Sequence, residues 1–213
     1  MKTTPITLVV ADAGPLISMA LANQLKLLFT FDKPVYVLDV VKAECLRKSD
    51  APDREILRNW LGSNESQISI INSPIIKPFN DALRLEETGE QPHATQGLGD
   101  AAIAWFVANA RRICAPDALS LVLTEDAPFG DTVLARNVHV LSTRPWLKTL
   151  ENFGLIVSAQ DVLKQIELNG RKVSRYNVDR PAIITTTNPN KSLKSDWKAP
   201  LAKKPSGRGG IDD

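Results

Sequence analysis

The chain is poor in the residues that build metal-thiolate centres and disulfide frameworks. Among 213 residues it has two cysteines, Cys45 and Cys114, and two histidines, His93 and His139, all far apart. A structural zinc site draws four such ligands at short characteristic spacings, which this set does not supply. Both cysteines stand in apolar contexts and read as small buried hydrophobes in a reducing compartment. His93 lies in a polar stretch and reads as an exposed loop side chain. Long apolar runs are missing too. None approaches the roughly 18 residues that span a bilayer, and Met1-Lys2-Thr3-Thr4 leads into a segment too short for a secretory core. A cytoplasmic protein without a membrane span is expected. Aromatic residues are only 6% of the chain. Trp60, Trp105 and Trp146 fall within helical patterns and read as packing residues; Trp197 stands apart and is the one suited to touch a partner or a base.

The net charge of +2 conceals an asymmetry. Residues 171–213 carry ten Lys/Arg against four Asp, whereas the remainder carries 16 basic against 20 acidic residues. An acidic body with a basic tail is implied. Two regions follow: a folded unit over 1–170, and a basic tail over 171–213 that reads as disordered, its residues 188–213 being rich in Pro, Lys, Ser and Gly. Within the latter, Ile183–Thr187 is compatible with an edge strand.

Strands alternate with helices along the body. Ile6–Val10 is a near-continuous apolar run, the pattern of a strand buried on both faces of a parallel sheet. Val35–Leu38, Gln67–Ile71, Leu119–Thr124 and Val138–Leu141 read as further strands. Helices are expected from Pro15, over a short Leu25–Phe29 segment, after an Asp39 N-cap, over Asp53–Leu61 capped by Ser49-Asp50 or Asp53, over Ala101–Arg112, Asp131–Arg136, Arg144–Phe153 and Ala159–Leu168. Residues 72–96, punctuated by Pro74, Pro78 and Pro92, read as irregular with one short helix over 81–87. Such alternation gives an α/β fold with a mostly parallel central sheet and helices on both faces.

The acids are the informative feature. Asp12 closes the first strand, at the carboxyl end where open α/β sheets place their chemistry, and only Ala13, Gly14 and Pro15 follow it. Glu44 shares a helix side with Val41 and Cys45, the side expected to turn inward. Asp100 opens the helix whose stripe is Ile103, Phe106, Val107 and Ala110, where it serves equally well as a helix cap. Glu125 and Asp126 end the fourth strand, and Asp131 follows. A parallel sheet brings these positions to one edge. Like charges about 4 Å apart, at an effective dielectric near 20, repel by roughly 4 kcal/mol per pair. Such a group stays partly protonated or takes up hard cations. Oxygen-only ligands favour Mg²⁺ or Mn²⁺ over zinc, and a carboxylate-held cation of that kind suits hydrolysis of a phosphodiester.

On these residues the chain resembles the PIN-domain ribonucleases. Val9-Val10-Ala11-Asp12-Ala13-Gly14-Pro15-Leu16-Ile17 resembles that family's opening strand, aspartate and helix start. Val41-Lys42-Ala43-Glu44 is similar to its second acidic position. Gly97-Leu98-Gly99-Asp100-Ala101-Ala102 resembles the helix bearing the third, and Leu121-Val122-Leu123-Thr124-Glu125-Asp126 the strand ending in Thr-x-Asp. The resemblance spans roughly residues 6–168. It implies a PIN-like three-layer α/β/α sandwich and a Mg²⁺- or Mn²⁺-dependent endoribonuclease acting on single-stranded RNA. It also implies the toxin of a type II toxin–antitoxin pair, with a small antitoxin entering the acidic groove, and a homodimer. Asp12, Glu44 and Asp100 would bind metal; Asp126 would complete the site with Asp131 as its understudy, although Glu125, Asp126 and Asp131 lie within seven residues and each is a candidate for the fourth acid; Thr124 would orient substrate or a carboxylate. The stretch over 72–96 and the basic tail exceed what a compact toxin needs. Two other readings compete. A haloacid-dehalogenase-like phosphatase also begins with an aspartate after a buried strand but needs a second carboxylate two residues on, where this chain has Gly14. A degenerate PIN domain would serve as an RNA-binding or protein-interaction scaffold.

Overall fold

The computed structural model describes residues 6–31, 33–47, 51–114, 119–125 and 138–173, with the backbone of 179–180. Its strands are β1 (Ile6–Val10), β2 (Val35–Leu38), β3 (Ile68–Ile71), β4 (Leu119–Leu123), β5 (Val138–Leu141) and β6 (Asp179–Arg180). They form one sheet in the order β3-β2-β1-β4-β5-β6, with β1 to β5 parallel and β6 antiparallel to β5. The helices are α1 (Ala13–Leu21), α2 (Asp39–Arg47), α3 (Pro52–Ser63), α4 (Ile76–Glu87), α5 (Leu98–Ile113), α6 (Thr143–Asn152) and α7 (Ala159–Leu168), with a 3-10 turn at Leu25–Phe29. The fold is a three-layer α/β/α sandwich around a mostly parallel sheet.

The two-sided covering follows from the strand sequences. Successive residues of a strand face opposite sides, yet Leu8, Val9, Val10 and Ala11 are all buried, as are Ser120 through Leu123. Both faces of β1 and β4 must therefore be roofed by helices. The core continues through Leu16 and Met19 of α1, Leu57 of α3, Phe106 of α5, Trp146 and Leu147 of α6 and Ile166 of α7. Among the described residues no helix is long and apolar enough to cross a membrane.

From β1 the chain builds outward to β2 and β3, then returns through α4 and α5 to place β4 on the other side of β1. The direction of winding thus reverses between β1 and β4. That point is where the loops after neighbouring strands part and leave a crevice at the carboxyl edge. The ladder continues to its very lip: Ala11 N–H donates to the Leu123 carbonyl at 3.1 Å, and Thr124 N–H to that of Leu141 at 3.1 Å.

Several elements differ from the sequence expectation, each for a local reason. Helix α4 begins at Ile76, five residues before the expected start. Pro78 falls in its first turn, where a missing N–H has no helical partner to lose, and buried Phe79 anchors the turn. Helix α5 begins at Leu98 instead of Ala101, because Gly97 turns the chain in the left-handed region (φ 79°) immediately before it. Helix α3 starts from Ala51 with Pro52 in its first turn and without a side-chain cap; Ser49 and Asp50 lie outside the described residues. The composition shift at 171 is not where the chain leaves the body. Arg171 bonds into the interior, Val173 is buried, and β6 pairs with β5. Charge composition marks solvated stretches on average, but one basic residue with an internal acid to meet is drawn in. Residues 131–136 and 183–187 lie outside the described residues.

Asp39, expected as an N-cap, heads α2 and also ties two strand ends together. Its carboxylate accepts from Val40 N–H at 2.8 Å, from Ser73 N–H at 2.6 Å and from the Ser73 hydroxyl at 2.8 Å. Asp39→Ala removes all three bonds and leaves buried donors unpaired, so it should destabilise the protein by about 3 kcal/mol, measured by urea denaturation. A change below about 0.5 kcal/mol would show that water replaces the carboxylate.

Candidate functional site

Asp12 leaves the end of β1 in an extended conformation and caps α1, with Gly14 N–H donating to Oδ1 at 3.0 Å. Its other oxygen faces β4. Glu125 N–H donates to Oδ2 at 2.6 Å, and the Thr124 hydroxyl reaches the same atom at 3.4 Å. The carboxylate therefore takes the place of the next rung in the β1–β4 ladder. Backbone N–H groups from both sides of the crevice converge on it, which fixes its orientation at the winding reversal.

Two more acids reach the same place from other elements. Glu44 is half-buried on α2, between buried Val41 and Cys45 on the inward side. Asp100 is exposed in the first turn of α5, where it also complements the helix N-terminus. Together Asp12, Glu44 and Asp100 line one cleft of about 310 Å³, with Thr95 and Gln96 on its wall and Ile103 one turn below Asp100. Gly99 leaves room for the end of the Glu44 side chain to lie against α5. A Cβ on Gly99 would stand 2.9 Å from Glu44 Oε1.

The wall is held by a polar clamp. Glu86 Oε1 accepts from the Thr95 N–H and hydroxyl, both at 2.7 Å. Arg47 pairs with Glu86 and donates to the Thr95 hydroxyl at 3.2 Å. Thus α2, α4 and the segment before α5 are bound to one another at the cleft rim. Sequence reasoning missed this clamp, because Arg47, Glu86 and Thr95 are joined only by the tertiary fold.

The remaining expected site residues fall differently. Thr124 is fully buried, behind Asp12. Glu125, one of the acids ending β4, is turned away from the cleft and buried. Its Oε1 accepts from the hydroxyls of Ser18 at 2.6 Å and Thr143 at 2.9 Å, and its Oε2 from Arg171 Nη2 at 2.9 Å. Asp126 and Asp131 lie outside the described residues. Three strands thus end in acids, Asp12, Asp39 and Glu125. Asp39 and Glu125 are satisfied internally, and Asp12 lines the cleft.

The cleft offers oxygen donors only, the chemistry that suits Mg²⁺ or Mn²⁺. Among the described residues no three acidic, histidine or cysteine side chains are gathered tightly enough to ligate one ion directly. Mg²⁺ keeps several waters and commonly takes one or two carboxylates, so the donors present fit a water-rich shell better than a closed protein cage. Cys45, next to Glu44 on α2, is buried. Burial first, then Glu44, Asp53 and Asp12, push its thiol well above the ordinary range, with Arg171 acting in the opposite sense. No protein-family model and no curated protein matches the chain.

The burial of Cys45 makes stability depend on pH. Its thiol holds its proton in the folded state and loses it near pH 8.5 when unfolded. The unfolded state therefore binds fewer protons above that pH, and stability should fall there by up to about 1.4 kcal/mol per pH unit. Guanidinium denaturation at pH 8 and pH 10 should show this loss, and Cys45→Ala should reduce it. Equal slopes in both proteins would place the cause elsewhere.

Proposed function

We propose that the protein is a metal-dependent endoribonuclease acting on single-stranded RNA in the cytoplasm, with Asp12, Glu44 and Asp100 as the residues that hold a Mg²⁺ or Mn²⁺ ion. The observation that carries this reading is the meeting of three acids, from the end of β1, the middle of α2 and the start of α5, in one cleft at the winding reversal. A divalent cation there would activate water and offset charge on the phosphodiester. The chain's own contribution is positional. The two N–H donors orient Asp12, the Gly99 approach lets Glu44 lie against α5, and the Glu86–Arg47–Thr95 clamp fixes one wall. Exposed Asp100 and Gln96 face incoming substrate. Asp126, with Asp131 as its substitute, is the proposed fourth acid. Thr124 acts through Asp12 more readily than on RNA, since it is buried behind that carboxylate.

The same reading extends to a toxin of a type II pair, inhibited by a small antitoxin entering the acidic cleft, and to a homodimer. A small neighbouring gene whose product abolishes the cleavage would support the toxin role. A second reading is favoured by one observation, the lack among the described residues of a tight three-ligand cluster. It is a PIN-like scaffold that binds RNA or protein without cutting.

Three measurements separate these readings. Asp12→Asn and Asp100→Asn should each lower EDTA-sensitive RNA cleavage by about a hundredfold with unchanged circular dichroism; full activity in both variants ends the nuclease reading. Millimolar Mn²⁺ should raise the melting temperature by about 5 °C or more if the site is filled well above its Kd, and no shift favours the scaffold. Gly99→Ala displaces only the mobile end of Glu44. It should therefore cut cleavage about tenfold or more while the melting temperature stays within about 3 °C; unimpaired cleavage would remove Glu44 from the site.

A further inference from the structure

We infer that Arg171, delivered from beyond the last long helix, is a positioning residue for Asp12 and acts through Glu125. The inference rests on the nuclease reading for its consequence but on geometry for its substance. Glu125 bears on Asp12 in two ways, once directly and once through Gly14. Its N–H donates to Asp12 Oδ2 at 2.6 Å. Its side chain lies directly on the backbone of Gly14, where an added Cβ would stand 2.8 Å from Glu125 Oε2 and 2.9 Å from Glu125 Cβ. Gly14 in turn gives its N–H to Asp12 Oδ1. The donors to both Asp12 oxygens are therefore set by where Glu125 sits.

What holds Glu125 is Arg171. A buried carboxylate needs a compensating cation and filled lone pairs. Glu125 is 6% exposed, and Arg171 is the cation it meets. The guanidinium binds with two nitrogens, Nη2 to Glu125 Oε2 at 2.9 Å and Nε to the Ser18 hydroxyl at 3.0 Å. The Ser18 hydroxyl donates in turn to Glu125 Oε1 at 2.6 Å, which closes a ring of three side chains from α1, the end of β4 and the segment after α7. Thr143, at the head of α6, adds the last bond. Two nitrogens at a fixed angle are a property of arginine that lysine does not share. The ring braces the β4 end against α1 from behind, so that the face toward the cleft presents Asp12 in a single orientation.

The test uses full-length Arg171→Ala, Arg171→Lys and Ser18→Ala. In wild type the amide protons of Gly14 and Glu125, bonded to a carboxylate, should resonate downfield and exchange slowly. In Arg171→Ala both should move upfield and exchange at least tenfold faster, with the circular dichroism retained; Arg171→Lys should fall between. If the nuclease reading also holds, the Mn²⁺ concentration for half-maximal RNA cleavage should rise about tenfold, with the KM for RNA changed less than threefold. Should Arg171→Ala fail to fold, Arg171→Lys and Ser18→Ala carry the same readout, each removing one leg of the ring. Unchanged Gly14 and Glu125 amides in a folded variant overturn the inference. Shifted amides in a protein that neither binds Mn²⁺ nor cleaves RNA support it while removing the nuclease reading.

Discussion

Everything near the crevice depends on the short hydrogen bond that crosses it from the Glu125 N–H to the Asp12 carboxylate, with the Thr124 hydroxyl reaching the same oxygen. A parallel sheet that reverses its winding must leave a gap where the chains turn away from each other, and backbone groups at that gap lose their ladder partners. Here the first lost rung is replaced by a side chain. An aspartate at that point caps α1, completes the β1–β4 edge and still lines the cleft. Alanine or leucine there would leave two N–H donors without acceptors.

The protein places several acids at strand ends and treats them differently. Asp39 is spent on Ser73 and Val40, which seals the β2–β3 side of the sheet. Glu125 is spent on Ser18, Thr143 and Arg171. Glu44 and Asp100 line the cleft with Asp12. Three acids are thus gathered in the cleft at one edge of the sheet, while the buried charge of Glu125 is balanced by Arg171. The Cys45 thiol is raised first by its own burial and then by Glu44, Asp53 and Asp12.

The wall opposite is built by the same logic. Residues 72–96 read as a proline-punctuated loop, but Phe79 pins α4 to the core and Glu86 at its end holds Thr95. Proline signalled a break where it marked a helix beginning. Gly97 and Gly99 have distinct tasks: the first supplies a left-handed turn into α5, the second the close passage of Glu44. The run of glycine, acid and alanine in Gly97-Leu98-Gly99-Asp100-Ala101 is consistent with both tasks without distinguishing them.

The sequence by itself determined the strands β1 to β5, the parallel α/β class and the inward stripe of α5, because alternation and apolar periodicity are local properties of the chain. It also singled out Asp12, Glu44 and Asp100, since an acid at a strand end or on an apolar helix face is conspicuous wherever it lies. Only the tertiary structure decided that those three share a cleft, that Glu125 turns inward, and that Arg171 belongs to the body and not to a basic tail. Those outcomes turn on pairings between residues up to 153 positions apart, as with Ser18 and Arg171. A buried charge chooses its partner by distance in space, which neither composition nor period records.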